Sequence, residues 1–482
     1  MFVVGRRALS SITSSPTTSI PRVCVVGSGP AGFYVSKYLL AQHDHARVDM
    51  MEALPTPYGL IRSGVAPDHQ DVKAVQNDFA EVAKNDRFSF FGNVSVGGGE
   101  EADTSVDELR ERYNAVVFCT GATSDRMLGV PGEDLKGVHS ARAVVNWYNS
   151  HPDFVQYPLD LSTSTSGTCV IIGQGNVAVD CARILSCVPS ALKSTDIADY
   201  AVDALEKSGL RRIIMLGRRG HVQASFTMKE LRELTKLEGT TFVVHKDELD
   251  ASMTEATKEE IKNERVPKRM NKLLRSAADR PVDSDNKALQ LSFLRSPLEI
   301  VSCDDKPGVV GGIRVAVNTL EGSAGNQRAV DTGEYEFIPC DLVLRSVGYL
   351  GLPLEGVAFD EKRATVSNTP ESAGRVVDPS SGQVINGMYT SGWAKRGPNG
   401  IVGTNIPCAR ETVKSILEDE TNGLLPTIRV EGGIAGLINT KSVVDWNGCT
   451  KIDAHEVAVG KLKGKVRDKM LEREDMLLAA ND

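Results

Sequence analysis

Short runs of β-branched and other apolar residues alternate along the chain with glycine-rich turns and stretches of helical periodicity. VCVVG, residues 23–27, leads into a helix predicted near Pro30–Gln42, and RVDMME, Arg47–Glu52, reads as the next strand. VAPDHQD, residues 65–71, predicts a turn with Asp68 as a helix N-cap, after which Val72, Val75, Phe79 and Val82 fall on one helical face. AVVFCTG, residues 115–121, is a buried strand ending at glycine. The design then repeats. TCVIIGQGNVAVD (168–180) is strand, turn and helix; RRIIMLGRR (211–219) is a strand; residues 228–276 read as a charged helical region; and CDLVLRSVGY (340–349) is again a strand. Residues 250–290 are polar enough to include loop, and residues 421–482 read as helical and charged. Strands alternating with helices imply an α/β protein with parallel sheets.

The two glycine turns carry the first chemistry. GSGPAG places Gly27, Gly29 and Gly32 between a strand and a helix. The first allows a tight turn, the second lets the backbone approach a pyrophosphate, and the third lets helix and strand pack closely. Glu52 ends the next strand, where an acid accepts hydrogen bonds from an adenosine ribose. Gly173, Gly175 and Ala178 repeat the turn, but the strand after it ends in Arg218 and Arg219 instead of an acid. Two guanidiniums there suit a 2′-phosphate, so the second ligand is expected to be NADPH. A nicotinamide passes only hydride, whereas a flavin also releases single electrons, and the pairing implies FAD at the first turn. The expected fold is therefore two Rossmann-like three-layer dinucleotide-binding domains, the first interrupted by the second. Residues 22–121 form the first part of the FAD domain and 122–345 the NADP domain. Residues 346–482 form the second FAD part with a C-terminal extension.

Composition narrows this. The chain has 482 residues, 41% hydrophobic and 24% charged, with a net charge of −8, which disfavours a general nucleic-acid binder. No run of about 18 apolar residues offers a membrane span. Nine scattered cysteines form no C-x-x-C pair, which argues against a dithiol centre, an iron–sulfur site and a zinc ribbon. No metal site is expected. Residues 1–21 are rich in Ser and Thr, contain Arg6 and Arg7 and lack acids, the composition of a mitochondrial import signal.

With these residues assembled, the chain resembles the mitochondrial adrenodoxin reductase family, ferredoxin–NADP reductases of the adrenodoxin reductase type. The likeness runs from about residue 22 to the C-terminus and is carried by VCVVGSGPAGFY, YGLIRSGVAPDH, IIGQGNVAVDCARIL, GRRG and SGWAKRGPNGIVGTN. The resemblance implies hydride transfer from NADPH to FAD, then single-electron transfer to a [2Fe–2S] ferredoxin. It implies FAD contacts at Ala31, Glu52, Leu60, Val96, Trp393, Gly400, Ile401 and Val402, beside the turn glycines. It implies NADP contacts at Gln174, Gly175, Asn176, Val177, Arg218, Arg219, Glu230 and Gly400. His69 and Asp180 are candidates for a polar pair near the flavin; alternatively, His69 only starts a helix and Asp180 bonds locally. KNERVPKRMNKLLR, residues 262–275, concentrates Lys262, Arg265, Lys268, Arg269, Lys272 and Arg275 against the acidic background. Such a run is a solvated helix face or, as the resemblance suggests, a docking surface for an acidic ferredoxin. The expected setting is the mitochondrial matrix, as a monomer compatible with a peripheral place at the inner membrane.

Three rivals share parts of this pattern. A disulfide reductase of the same architecture needs paired redox cysteines, and a glutamate-synthase-related flavin subunit needs an N-terminal cysteine cluster; neither is present. A non-enzymatic NADPH sensor would be colourless when purified, whereas a flavoprotein reductase is yellow and bleaches with NADPH.

Overall fold

Two six-stranded sheets organise the chain in the computed structural model, which describes residues 21–99, 102–162, 165–278, 283, 285–438 and 442–482. The expected import signal lies outside the described residues apart from Pro21.

The first sheet runs, edge to edge, Arg375–Val377, Val384–Thr390, Ala115–Phe118, Arg22–Val26, Arg47–Glu52 and Phe88–Gly92. Its neighbours are parallel except the pair Arg375–Val377 and Val384–Thr390. Strand Arg22–Val26 sends Val23 and Val25 into one core and Cys24 and Val26 into the other. Because both faces are covered, its sequence is a continuous apolar run rather than an alternation. The chain leaves this strand toward Arg47–Glu52 on one side and later fills Ala115–Phe118 on the other. That reversal opens a crevice beyond the strands' carboxyl ends, the usual ligand position in such sheets. Val384–Thr390 pairs Met388 with Val116, so this unit is completed by chain that returns late.

The second sheet is all parallel, in the order Val138–Ser140, Leu342–Arg345, Thr168–Ile172, Arg212–Leu216, Lys287–Ser292 and Thr240–Val244. Helices cover one face, with Ala178, Ile184 and Leu231 packed on Ile171 and Ile213. The other face is covered by an antiparallel sheet of Arg295–Ser302, Val310–Glu321 and Arg328–Pro339, through Ile300, Ile313 and Val315.

Three local expectations change. The antiparallel sheet was not foreseen, because Arg328–Pro339 is exposed along most of its length and its acids mask the strand pattern. The charged region 228–276 is not continuously helical: Thr240–Val244 is a strand paired to Lys287–Ser292, as its β-branched run TTFVV favours. Asp68 does not cap a helix. The helix begins at Gln70 after His69 and breaks at Ala74 into Gln70–Lys73 and Val75–Ala83. Asp68 instead gives both carboxylate oxygens to Arg183 of the second unit, at 2.6 and 2.9 Å. Phe79 and Val82 are buried as their spacing predicts, while Val72 and Val75 are only half-buried. Among the described residues no helix is long and apolar enough to cross a membrane.

Candidate functional site

At the end of strand Arg22–Val26 the chain turns through Gly27, whose φ of 103° is one that L side chains rarely adopt. A Cβ there would also stand 2.6 Å from the Cys119 carbonyl oxygen, and one at Gly32 would stand 2.1 Å from that of Gly27. At Gly29 a Cβ would meet nothing within 4 Å. Gly29 is the N-cap of Pro30–Gln42, and no side chain caps that helix. Its first-turn N–H groups therefore need an outside acceptor, and the space before them suits a pyrophosphate. Glu52 lies beside the turn, accepting from Ser28 N at 3.1 Å, Ser28 Oγ at 2.6 Å and Leu54 N at 3.1 Å. It braces the cradle whatever else it binds.

The late-returning chain meets this cradle. A Cβ on Gly392 would come 2.3 Å from that of Ala31, which places Trp393 beside the helix start. Gly400 has φ 85°, Ile401 is 62% exposed, and Val402 opens the short turn before helix Asn405–Thr421. Leu60 starts the short helix Leu60–Ser63 after Gly59, which abuts Gly29. Val96 stands apart in an isolated bridge to Thr104.

The second cradle has the same build. Gly173 has φ 124°, and a Cβ there would lie 2.2 Å from the Ser346 carbonyl oxygen. Gly175 caps helix Asn176–Ser186 with open space before it, and Val177 follows in the first turn. Asn176 Oδ1 is buried without a hydrogen-bond partner at this helix start, an acceptor waiting for a donor. Gln174 turns its amide inward, donating to Met215 O and Ser292 O at 3.3 and 2.9 Å, so only its backbone is presented to a ligand. Arg218 is exposed and Arg219 half-buried, and among the described residues neither has an ion-pair partner. Glu230 has a structural task, closing a capping box with Thr227 on helix Met228–Leu234.

Between the two units lies a charged cluster that the sequence only partly foretold. His69 Nε2 is 3.0 Å from Glu233 Oε2, whereas its Nδ1 stands 4.0 Å from Asp180 Oδ1. The anticipated pair is thus near contact rather than a hydrogen bond, and Glu233 is the closer partner. Arg183 sits at the centre, against Asp68, 2.8 Å from Asp180 and 3.7 Å from Glu233, its side chain 4% exposed. One guanidinium shared by three carboxylates serves them unequally. Burial would raise Asp68, but the hydrogen bonds from Arg183 outweigh it and hold that carboxyl low; for Asp180 burial prevails and pushes the carboxyl up. Arg183 and Glu233 were missed by sequence reasoning. The available signal was Arg183, the lone cation on the otherwise mostly apolar helix, one turn after Asp180.

The basic helix is Arg265–Ala278, buried through Pro267, Met270, Leu274 and Ala277. Arg265, Lys268, Arg269 and Lys272 are exposed and have no ion-pair partner among the described residues. Lys262 belongs to the preceding helix, and Arg275 is engaged by Asp250 at 2.7 Å. His221, fully buried just after the arginine pair, holds this helix to the cradle: Nε2 is 3.0 Å from Asn271 Oδ1 and Nδ1 2.8 Å from Ser252 Oγ. Burial holds His221, and likewise His139, down to about 4. Above the unfolded value of about 6.5 both states are neutral; below it the unfolded chain takes up protons the folded one refuses, so stability falls from pH 6.5 toward 4. Each such histidine contributes a loss of up to about 3 kcal/mol over that window. Urea titrations at pH 7 and pH 5 are expected to show a smaller acid loss in His221→Gln than in the wild type; an identical loss would contradict this assignment.

Residues 21–292 match the family model described as pyridine nucleotide-disulphide oxidoreductase, a class that fits two cradles on two sheets. Among known proteins, the mitochondrial NADPH:adrenodoxin oxidoreductase of Arabidopsis thaliana is 43% identical, covering 99% of each chain. That of Homo sapiens is 42% identical over 95% of this chain and 91% of its own. The NADPH-ferredoxin reductase FprA of Mycobacterium tuberculosis is 40% identical over 94% of this chain and 98% of its own. A solved structure of FprA in complex with NADPH superimposes with a TM-score of 0.87 at 38% identity, covering 96% of this chain and all of that one. The chain belongs to the adrenodoxin reductase family of flavoprotein oxidoreductases.

Proposed function

We propose that this chain is an FAD-dependent NADPH:ferredoxin oxidoreductase. The observation that carries the reading is the pair of uncapped, glycine-lined helix starts on two units joined through one charged cluster, the second followed by two arginines without ion-pair partners among the described residues. Residues 22–121 and 346–482 form the FAD domain and 122–345 the NADP domain. Bound FAD supplies the step that a nicotinamide lacks, accepting a hydride from NADPH and giving electrons up singly to a [2Fe–2S] ferredoxin.

The chain's own residues hold and orient. Gly27, Gly29, Ala31 and Gly32 form the FAD pyrophosphate cradle, with Glu52 at the ribose and Leu60 and Val96 along the nucleotide. Trp393, Gly400, Ile401 and Val402 would hold the flavin ring. The backbone N–H groups of Gln174, Gly175, Asn176 and Val177 would receive the NADP pyrophosphate, and Arg218 and Arg219 would hold the 2′-phosphate. Glu230 positions that loop by capping its helix, and Gly400 would serve both ligands. The Tyr349 ring packs tilted against that of Trp393, centroids 5.7 Å apart, and steadies it. His69 and Asp180, with Glu233 and Arg183, form the polar network between the cofactors.

Arg265, Lys268, Arg269 and Lys272 form the surface for an acidic ferredoxin. The relatives' names support a mitochondrial setting, in which the matrix holds the protein as a monomer.

The test is NADPH-driven reduction of cytochrome c with and without [2Fe–2S] ferredoxins. Purified protein should be yellow, bleach with NADPH, and depend on ferredoxin for cytochrome reduction. A colourless protein that still binds NADPH would support the sensor instead. Reversing Arg265 and Arg269 to Glu is expected to cut ferredoxin-dependent turnover at least about tenfold at low salt, with flavin reduction unchanged. Equal turnover and equal salt dependence would reject that docking surface.

A further inference from the structure

Helix Trp446–Leu462 packs on the first core through Cys449 and Ile452, and helix Arg473–Asn481 packs there through Met476 and Ala480. The segment between them does not stay on that core. Residues 463–473 run along the second unit and return. Lys463 Nζ reaches Asp199 Oδ2 at 2.8 Å, Lys465 Nζ reaches Asp199 Oδ1 at 2.6 Å and Ile197 O at 2.7 Å, and Val466 N donates to Ser194 O at 3.0 Å. Lys469 Nζ reaches into the joint itself. It is 2.9 Å from Asp196 Oδ2, 3.0 Å from Asn149 O and 3.0 Å from Arg62 O, the last belonging to the first unit. Arg473 closes the loop on Asp153 at 2.8 Å and Ala53 O at 3.2 Å.

The root of this strap is equally fixed. Glu456, fully buried, accepts from Arg62 at 2.5 and 2.9 Å, from Arg467 at 3.0 Å and from Met470 N at 2.9 Å. Lys73 of the first unit bonds the same Asp196 that Lys469 does. Two ammonium groups on one carboxylate, with lysine side chains 4% and 1% exposed, form a costly arrangement if cohesion alone were the end. Apolar packing would join the units as firmly but leave them free to slide. Directional bonds from Lys465 and Lys469 to Asp196, Asp199 and three carbonyls permit one arrangement. The units are also tied directly at Asp68–Arg183 and Lys73–Asp196; the strap adds further ties at Asp199 and the Asn149 carbonyl, which restrain the rotation that remains.

We propose that the C-terminal strap, through Lys465 and Lys469, sets the angle between the two dinucleotide units and hence the gap across which hydride passes. These are positioning residues, bonded to Asp196, Asp199, Ile197, Asn149 and Arg62 rather than to either glycine turn, and the inference rests on the reading of the two cradles given above. Hydride transfer is steep in geometry: a displacement of about 1 Å can cost about 100-fold in rate. The affinity for NADP⁺, by contrast, is built mostly within one unit, with Gly400 as its contact from the other.

The experiment uses the full-length flavoprotein and compares wild type with Lys465→Met, Lys469→Met and the conservative Lys469→Arg. Flavin reduction at saturating NADPH is followed by anaerobic stopped flow, and NADP⁺ affinity by titration of the oxidised protein. The limiting reduction rate is expected to fall between about 10- and 100-fold in both Met variants, with the NADP⁺ dissociation constant within about twofold of wild type. Lys469→Arg keeps the charge but lengthens the arm, so it should retain flavin and still reduce slowly; it also serves if a Met variant fails to fold. Unchanged reduction rates would overturn the proposal, as would a fall in rate matched by an equal loss of NADP⁺ affinity. Wild-type protein that NADPH does not reduce at all would instead reject the function reading, which keeps the two failures apart.

Discussion

Replacing Arg218 and Arg219 together by alanine is expected to lower kcat/KM for NADPH by about two to four orders of magnitude, with little change for NADH. Each guanidinium can offer charge-assisted hydrogen bonds to a 2′-phosphate, and a bond to a charged group contributes about 1.5–3 kcal/mol. Neither arginine has an ion-pair partner among the described residues, so their removal strands no buried acid. Among the described residues the only side-chain hydrogen bond at stake is a long one, from Arg219 to Gln223 O at 3.3 Å. The loop keeps its other anchor, Asn318 Nδ2 donating to Arg218 O at 2.9 Å, because that bond uses the backbone. Steady-state kinetics with both donors and ferricyanide as acceptor give the comparison. An equal fall for NADH would mean that the arginines maintain the loop rather than read the phosphate.

Replacing Arg183 by methionine should be the most destabilising single change at the joint. It leaves Asp68, Asp180 and Glu233 facing one another without their common cation. Breaking a buried pair by removing one partner costs about 3–5 kcal/mol. The pH dependence follows in sign. Carboxylates left unpaired in the folded variant have raised pKa values, so the folded state binds more protons than the unfolded, and the deficit shrinks as pH falls. Asp180, already pushed up by burial, should protonate first. Urea unfolding at pH 7.5 and 5.5 checks this: the gap between wild type and Arg183→Met should narrow at the lower pH. A gap of constant size would show that lost packing, not charge, is responsible.

Much of the site could be read along the chain because it is local. A strand, a glycine turn and a helix start lie within about a dozen residues, and the geometric demands on Gly27, Gly32 and Gly173 arise from backbone only a short loop or one pairing away. The acid at Glu52 and the arginines at 218 and 219 follow from the next strand's end, another short-range relation. Asp68 shows where local reasoning failed. An acid before a helix start resembles an N-cap, but its partner, Arg183, is 115 residues further on. The antiparallel sheet was hidden for a related reason, since an exposed strand carries charges that blur its period. The strap had no sequence signature at all, because a lysine-rich tail looks the same whether solvated or buried against another unit.

The sequence by itself determined the two glycine turns and the parallel α/β class and pointed to a phosphorylated donor, because each depends on backbone sterics or charge acting over one strand–turn–helix unit. Tertiary structure alone decided which acids meet Arg183, that His69 faces Glu233 more closely than Asp180, and that the C-terminus ties the two units together. Those contacts join residues far apart in the chain, and their strength comes from burial, which the assembled fold creates.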